Sequence, residues 1–261
     1  MRYLRFFALF LLLVLGYFAL FHALSWALER YFLLTGFGPE RAASAGRIMA
    51  QGAEVTLKLT LLSGAAGLVI GVFAGMARLS ARAWVLLPAA FYIWVIRCTP
   101  LLVQILFAYN ALPLLLQPLW PGAQQALTPY WAAFIALAFN VGAYNAEVVR
   151  AGIQAIPKGQ WEAAWSLGFS AADTMRFVIL PQALRIVVPP LVNNVVALLK
   201  DSSLASVITL LELALSGQRI ISATFRPVEV YLAVAAVYLL LTTLLTFFTN
   251  LLERRLALPG R

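Results

Sequence analysis

The sequence predicts an all-α integral membrane protein with about six transmembrane helices. Three observations carry that prediction. Hydrophobic residues make up 63% of the chain and charged residues 11%, where soluble domains sit at about half apolar and about a quarter charged. Such a chain cannot cover its surface with polar groups in water, so its natural solvent is lipid. Apolar runs long enough to span recur along the chain, a spanning helix needing about 20 apolar residues. The basic residues, which give a net charge of +9, gather in alternate connections, as cytoplasmic loops require. Cys98 is the only cysteine and His22 the only histidine. That excludes a disulfide within the chain and a Cys/His metal cluster. The segment GIQAIPK at Gly152–Lys158 has proline where a phosphate-binding loop has its second glycine. The chain is therefore expected to bind no ATP itself, and no cofactor is expected.

Phe6 to Leu28 is the first apolar segment, preceded by Arg2 and Arg5. It reads as a retained helix, an uncleaved signal anchor, with a cleaved signal peptide ending near Ala23-Leu24-Ser25 as the rival reading. Glu29–Gly52 carries balanced charge and reads as a connector with a short surface helix. Residues 1–50 thus form an N-terminal helix plus an extracytoplasmic connector. Gly52 to Ala77 is the second span. Ser63, Gly67, Gly71 and Gly75 recur every four residues and make one smooth stripe for close helix packing, while Glu54 and Lys58 form an i,i+4 pair.

Arg78 and Arg82 flank a short loop. The third span starts near Trp84 and runs towards Pro113, interrupted at Arg97-Cys98-Thr99-Pro100. Pro100 frees the carbonyl of Ile96, and freed groups in lipid must face protein or a watery cavity. Arg97 at mid-depth calls for the same surroundings or for a carboxylate partner. Leu114–Thr128 reads as a loop. The fourth span is Pro129 to about Arg150, with Asn140, Tyr144 and Glu147 at i, i+4 and i+7 on one face, facing protein or a pathway. After a polar stretch, Ala183 to about Leu215 is the fifth segment, which Pro189-Pro190 is expected to break. Asn193, Asn194, Lys200 and Asp201 follow. Broken helices of this kind line solute pathways. Leu211–Val228 reads as a connector, and the last span runs from Glu229 to Asn250.

With the polar stretch Ile156–Pro181 placed in the cytoplasm, the same side collects Arg2, Arg5, Arg78, Arg82, Arg150, Lys158, Arg176, Arg185, Arg254, Arg255 and Arg261. The opposite side has Arg30, Arg41, Arg47, Arg219 and Arg226. Both termini are then cytoplasmic.

That polar stretch carries a motif. Glu162–Gly168 reads EAAWSLG, and Val178-Ile179-Leu180-Pro181 follows after nine residues. The pattern resembles the EAA loop of ATP-binding-cassette permeases, with Val178 where that pattern has isoleucine. RCTPLLVQILFAYNALP at Arg97–Pro113 resembles the RGTPLLVQ region of polar amino acid permeases, Cys98 replacing glycine. FNVGAYNAEVVRAGIQAIPKGQ at Phe139–Gln160 and NNVVALLKDSSLASV at Asn193–Val207 are similar to the same family. The similarity covers about residues 51–256, leaving the first helix as an extension.

The resemblance implies a type I importer core of five helices plus the N-terminal helix, in a bacterial cytoplasmic membrane. It implies a permease core over 51–256 that takes up polar amino acids, with a second permease chain, two cytoplasmic ATPase subunits and an extracytoplasmic solute-binding protein as partners. The loop at 156–181 is then expected to form two short helices seated in a groove of the ATPase, with Glu162, Ala163, Ala164, Gly168, Leu180 and Pro181 as coupling residues. Glu162 and the small alanines suit a helix start, and Gly168 lets the chain turn. Arg97, Thr99, Asn140, Tyr144, Glu147 and Asn193 are the pathway candidates. Arg97 suits a substrate carboxylate, and Glu147 a substrate ammonium, a gate or a structural pair. A carrier coupled to an ion gradient is the rival class, with Glu147 and Asp201 as its acidic residues. A channel would conduct without nucleotide. A membrane enzyme ranks last for want of a reactive constellation.

Overall fold

The structure, a computed structural model, describes residues 2–256, with side chains described for 15–249 and 251. Arg2, Arg5, Arg254, Arg255 and Arg261, which enter the orientation argument, lie outside the described side chains. The helices are α1 (Arg2–Leu34), α2 (Pro39–Ala77), α3 (Ala83–Cys98), α4 (Leu101–Asn110), α5 (Leu112–Leu116), α6 (Ala123–Ala126) and α7 (Pro129–Gln154). They continue as α8 (Lys158–Ser166), α9 (Ala171–Asp173), α10 (Leu180–Asp201), α11 (Leu213–Thr224) and α12 (Pro227–Leu256). Among the described residues there is no strand. Among the described residues, four helical stretches are long and apolar enough to cross a membrane, and α3 with α4 makes a fifth, bent by 106°.

Several expected boundaries move. The connector 29–52 is almost wholly helical, α1 running to Leu34 and α2 starting at Pro39, because its alanines and charged residues are good helix formers. Leu211–Val228 contains α11, and the loop 114–128 holds the end of α5 and all of α6. The break expected at Pro189-Pro190 is absent, since α10 stays helical through both prolines. Proline's fixed φ is itself helical, so the pair removes two ladder hydrogen bonds without ending the helix. The third span breaks where predicted. Arg97 is in the last turn of α3, Thr99 is extended, and Pro100 caps α4.

The described residues condense into two compact units, residues 2–58 with Thr209–Leu241, and Leu59–Ile208 with residues 242–256. In the first, the Tyr17 hydroxyl donates to Glu54 at 2.8 Å and Lys58 pairs with Glu54 at 2.8 Å. Arg226 donates to the Thr35 carbonyl at 2.7 Å and lies over the Phe37 ring. Glu212 is buried and caps α11, its carboxylate accepting from Ala214 N at 2.9 Å, Leu215 N at 2.8 Å and the Tyr238 hydroxyl at 3.1 Å. Glu212 lies outside the spanning stretches, and burial pushes its carboxyl above the usual range against those hydrogen bonds.

In the second unit the small-residue stripe of α2 packs on α7. A Cβ on Gly71 would run into the Asn145 side chain and lie 3.1 Å from the Gly142 carbonyl oxygen, and one on Gly75 would lie 2.7 Å from that of Ala146. The two backbones approach as closely as glycine permits. The Asn145 side chain held in this contact accepts from Asn194 Nδ2 at 2.9 Å, which ties α7 to α10. Helix α7 therefore touches α2, α3, α4 and α10 and forms the axis of this unit.

Candidate functional site: the EAA segment and a polar cavity

The EAA segment lies between α7 and α10. Helix α7 ends at Gln154, Ala155–Pro157 breaks the helix, and α8 begins at Lys158. Glu162 and Ala163 therefore lie inside α8 and not at its start. Both are exposed, while Ala164 is buried. Helix α8 ends in a Schellman arrangement, with Phe169 N donating to Ala164 O at 3.1 Å and Gly168 N to Trp165 O at 2.9 Å. Gly168 takes a φ of +83°, the left-handed conformation that glycine adopts without steric cost.

Ser170 then caps α9, its hydroxyl accepting from Asp173 N at 3.2 Å. The chain continues through a π-helical stretch, Thr174–Ile179, into α10. The second arm of the loop is thus not the separate short helix expected. It is the near end of a long helix, because nothing from Ala171 onward breaks the backbone. Leu180 N donates to Met175 O across the π turn, and Pro181 falls in the first turn of α10. Val149, Ile153, Ile156, Ile179, Ala183 and Val187 form the buried cluster under this element, with Trp161 and Met175 against it. At the tip, Trp165 (54%), Leu167 (79%) and Phe169 (39%) are exposed, an apolar knob on an otherwise polar loop. Sequence reasoning passed over those three residues. Large apolar side chains flanking the motif glycine are the signal that finds them.

A cavity of about 370 Å³ opens among the break between α3 and α4, α7 and α10. Thr99, Asn140, Tyr144, Asn194 and Asp201 are its polar lining. Pro100 leaves the Ile96 carbonyl free as expected, and Gln104 answers it, donating at 2.8 Å to Ile96 O and at 2.9 Å to Thr99 Oγ1. Gln104 Oε1 in turn accepts from Asn140 Nδ2 at 3.0 Å. One glutamine, which the sequence reading left out, thereby fixes both the break and the cavity wall.

Of the sequence candidates, Thr99, Asn140 and Tyr144 line the cavity. Arg97 lies just outside it, its guanidinium 5.4 Å from the centre of the Tyr144 ring. Glu147 sits one turn beyond Tyr144 and pairs with arginines: Arg150 Nη2 at 2.7 Å, Arg97 Nη1 at 3.9 Å and Arg78 Nε at 3.9 Å. Asn193 is exposed and outside the lining, where Asn194 stands instead. Asp201 also belongs to the lining. Among the described residues no three His, Cys, Asp or Glu side chains gather as a metal ion would need.

Comparison with known proteins places these features in a family. The family described as "binding-protein-dependent transport system inner membrane component" matches residues 67–258. The glutamine transport system permease protein GlnP of Escherichia coli (strain K12) is 42% identical over 210 residues, 80% of this chain and 93% of that one. The L-cystine transport system permease protein TcyB of Bacillus subtilis (strain 168) is 38% identical over 213 residues, 80% of this chain and 86% of that one. Among solved structures, the crystal structure of an amino acid ABC transporter with histidines superposes with a TM-score of 0.71 at 40% identity, covering 80% of this chain and 94% of that one. The inward-facing MetNI methionine ABC transporter shares the fold, with a TM-score of 0.68 at 20% identity over 81% of this chain and 97% of that one.

Proposed function

This chain belongs to the binding-protein-dependent transport system inner membrane component family, and from that membership we propose how it moves an amino acid. It is a multi-pass membrane permease subunit of an ABC importer, a transport subunit and not an enzyme. The cargo is a polar amino acid, and the pathway runs through the cavity at Thr99, Asn140, Tyr144, Asn194 and Asp201. ATP is hydrolysed by a separate cytoplasmic ATPase pair. A second permease chain completes the pathway, and a solute-binding protein delivers cargo from outside. Both termini and the EAA element face the cytoplasm, and residues 51–256 form the permease core.

The observation that carries this reading is the element Lys158–Ile179. It presents an exposed apolar knob at Trp165, Leu167 and Phe169, and it joins directly the two helices, α7 and α10, that wall the cavity. An apolar tip on a polar loop suits a groove in a partner protein. Its two stems suit the transfer of a push from that partner to the cavity. The test is a pull-down of the tagged chain in mild detergent, with mass spectrometry of what comes with it. An ATPase chain is expected, and it is lost on Gly168→Asp, which forces a side chain into the left-handed turn. A chain that purifies alone, unchanged by that substitution, refutes the ATP-driven reading in favour of an ion-coupled carrier.

A further inference from the structure

Below the cavity, on the side of the coupling element, one carboxylate serves three guanidiniums. Glu147 takes both Arg150 contacts, Nη2 at 2.7 Å and Nε at 3.2 Å. That pair lies within α7, at i and i+3. The other two arms come from elsewhere: Arg97 from the last turn of α3 and Arg78 from the residue after α2. Each stands 3.9 Å from a Glu147 oxygen, within ion-pair range but beyond hydrogen-bond range. Arg78 Nε is buried without a hydrogen-bond partner. Among the described residues, no other carboxylate lies within ion-pair distance of Arg78 or Arg97. The node is therefore tight within one helix and loose between helices, with positive charge in excess. It is also contiguous with the cavity, because Arg97 stacks over Tyr144, a lining residue.

We propose that Glu147 is the inner latch of the pathway: it holds Arg97 and Arg78 to α7 beneath the cavity, and the way inward opens when these two arms let go. This rests on the reading of the cavity as the pathway. The two long contacts are the ones whose loss separates helices. Arg150 holds Glu147 in place while they break, so the latch closes again without rebuilding the acceptor. The loosely held Arg97 offers the cargo carboxylate a competing partner as it leaves the cavity, and that exchange couples passage to release.

The test uses the complete complex, with its ATPase and binding-protein partners, in liposomes loaded with a mixture of the twenty L-amino acids. Efflux without nucleotide is followed by mass spectrometry. The wild type is expected to hold its load. Glu147→Gln is expected to raise nucleotide-free efflux about tenfold or more, with Glu147→Asp between the two. Arg97→Met, which frees one of the two arms, is expected to leak above the wild type and no more than Glu147→Gln, and the double variant no more than Glu147→Gln alone, because the Arg97 contact is already lost there. Variants as tight as the wild type overturn the latch, and so do leaks that multiply in the double variant. Should Glu147→Gln fail to assemble, Arg97→Met decides, since its side chain is 44% exposed and Glu147 keeps Arg150. A wild-type complex that takes up nothing with ATP sinks the importer reading itself. ATP-driven uptake with tight variants sinks only the latch.

Discussion

Replacing Gly168 by alanine isolates the turn that shapes the coupling element. A Cβ at Gly168 would meet nothing within 4 Å, and its φ is +83°. Crowding therefore contributes nothing, and the whole cost is conformational, roughly 1–2 kcal/mol for a left-handed L-residue. Asparagine visits that region more readily and costs less. Gly159 is the internal control. It lies in α8, also in open space and without a positive φ, so alanine there favours the helix by about 1 kcal/mol. If docking requires the turn, Gly168→Ala weakens binding of the purified ATPase subunit by at most about 5- to 30-fold, the factor that 1–2 kcal/mol carries. Gly168→Asn is expected to lose less, and Gly159→Ala nothing. The assay is titration of the detergent-solubilised chain with ATPase, with the dissociation constant read by fluorescence anisotropy. If Gly168→Ala and Gly159→Ala bind alike, or asparagine does no better than alanine, the turn does not set docking and the reasoning fails.

Three further outcomes are expected. Asn140→Ala removes the hydrogen bond to Gln104 in the cavity wall and should lower uptake affinity severalfold at normal expression, as should Arg97→Gln. Unchanged affinity and maximal rate in both would refute the pathway. Gly71→Ala pushes a methyl into Asn145 and towards the Gly142 carbonyl. Overpacking of this kind costs about 1–3 kcal/mol, to be read as a lower thermal midpoint in detergent. Glu212→Ala strips the cap from α11 and leaves the Tyr238 hydroxyl short of this acceptor, at about 2 kcal/mol. Because the folded state raises the Glu212 carboxyl, its protonation favours folding. That contribution is whole below the unfolded value and is lost as pH rises through the raised one. Glu212→Gln should abolish this part of the pH profile of thermal stability.

The spans were legible because lipid leaves few solutions. Pro129 as the start of α7 and Ala77 as the end of α2 follow from apolar length and punctuation alone. The break at Thr99-Pro100 was legible for the same reason, a proline beside a charge within an apolar run. Pro189-Pro190 misled because proline's local cost was read as a break in the helix, whereas the helix continues on either side of the pair. The connectors around Leu34 and Leu213 were misread because mixed charge suggests loops, while alanine-rich sequence with a buried face makes helices. On α7, the i, i+4, i+7 pattern found Asn140 and Tyr144 in the cavity and Glu147 one turn beyond it. It could not find Gln104, whose partner is a carbonyl eight residues back. Nor could it choose Asn194 over Asn193, since adjacent residues differ by about 100° around a helix and only packing decides which faces inward.

The two stems of the coupling element differ mechanically. On the α7 side, a non-helical joint at Ala155–Pro157 separates foot from shaft. On the α10 side the backbone stays helical from Ala171 to Asp201, and Leu180 to Asn194 spans roughly 21 Å at about 1.5 Å per residue. One stem is a crank and the other a rod. The α10 stem is the unbroken helical connection from the foot to Asn194 and Asp201, with Pro189-Pro190 as its weak point. The cavity thus has one wall, bearing Asn140 and Tyr144, that is jointed to the foot and another, bearing Asn194 and Asp201, that is continuous with it.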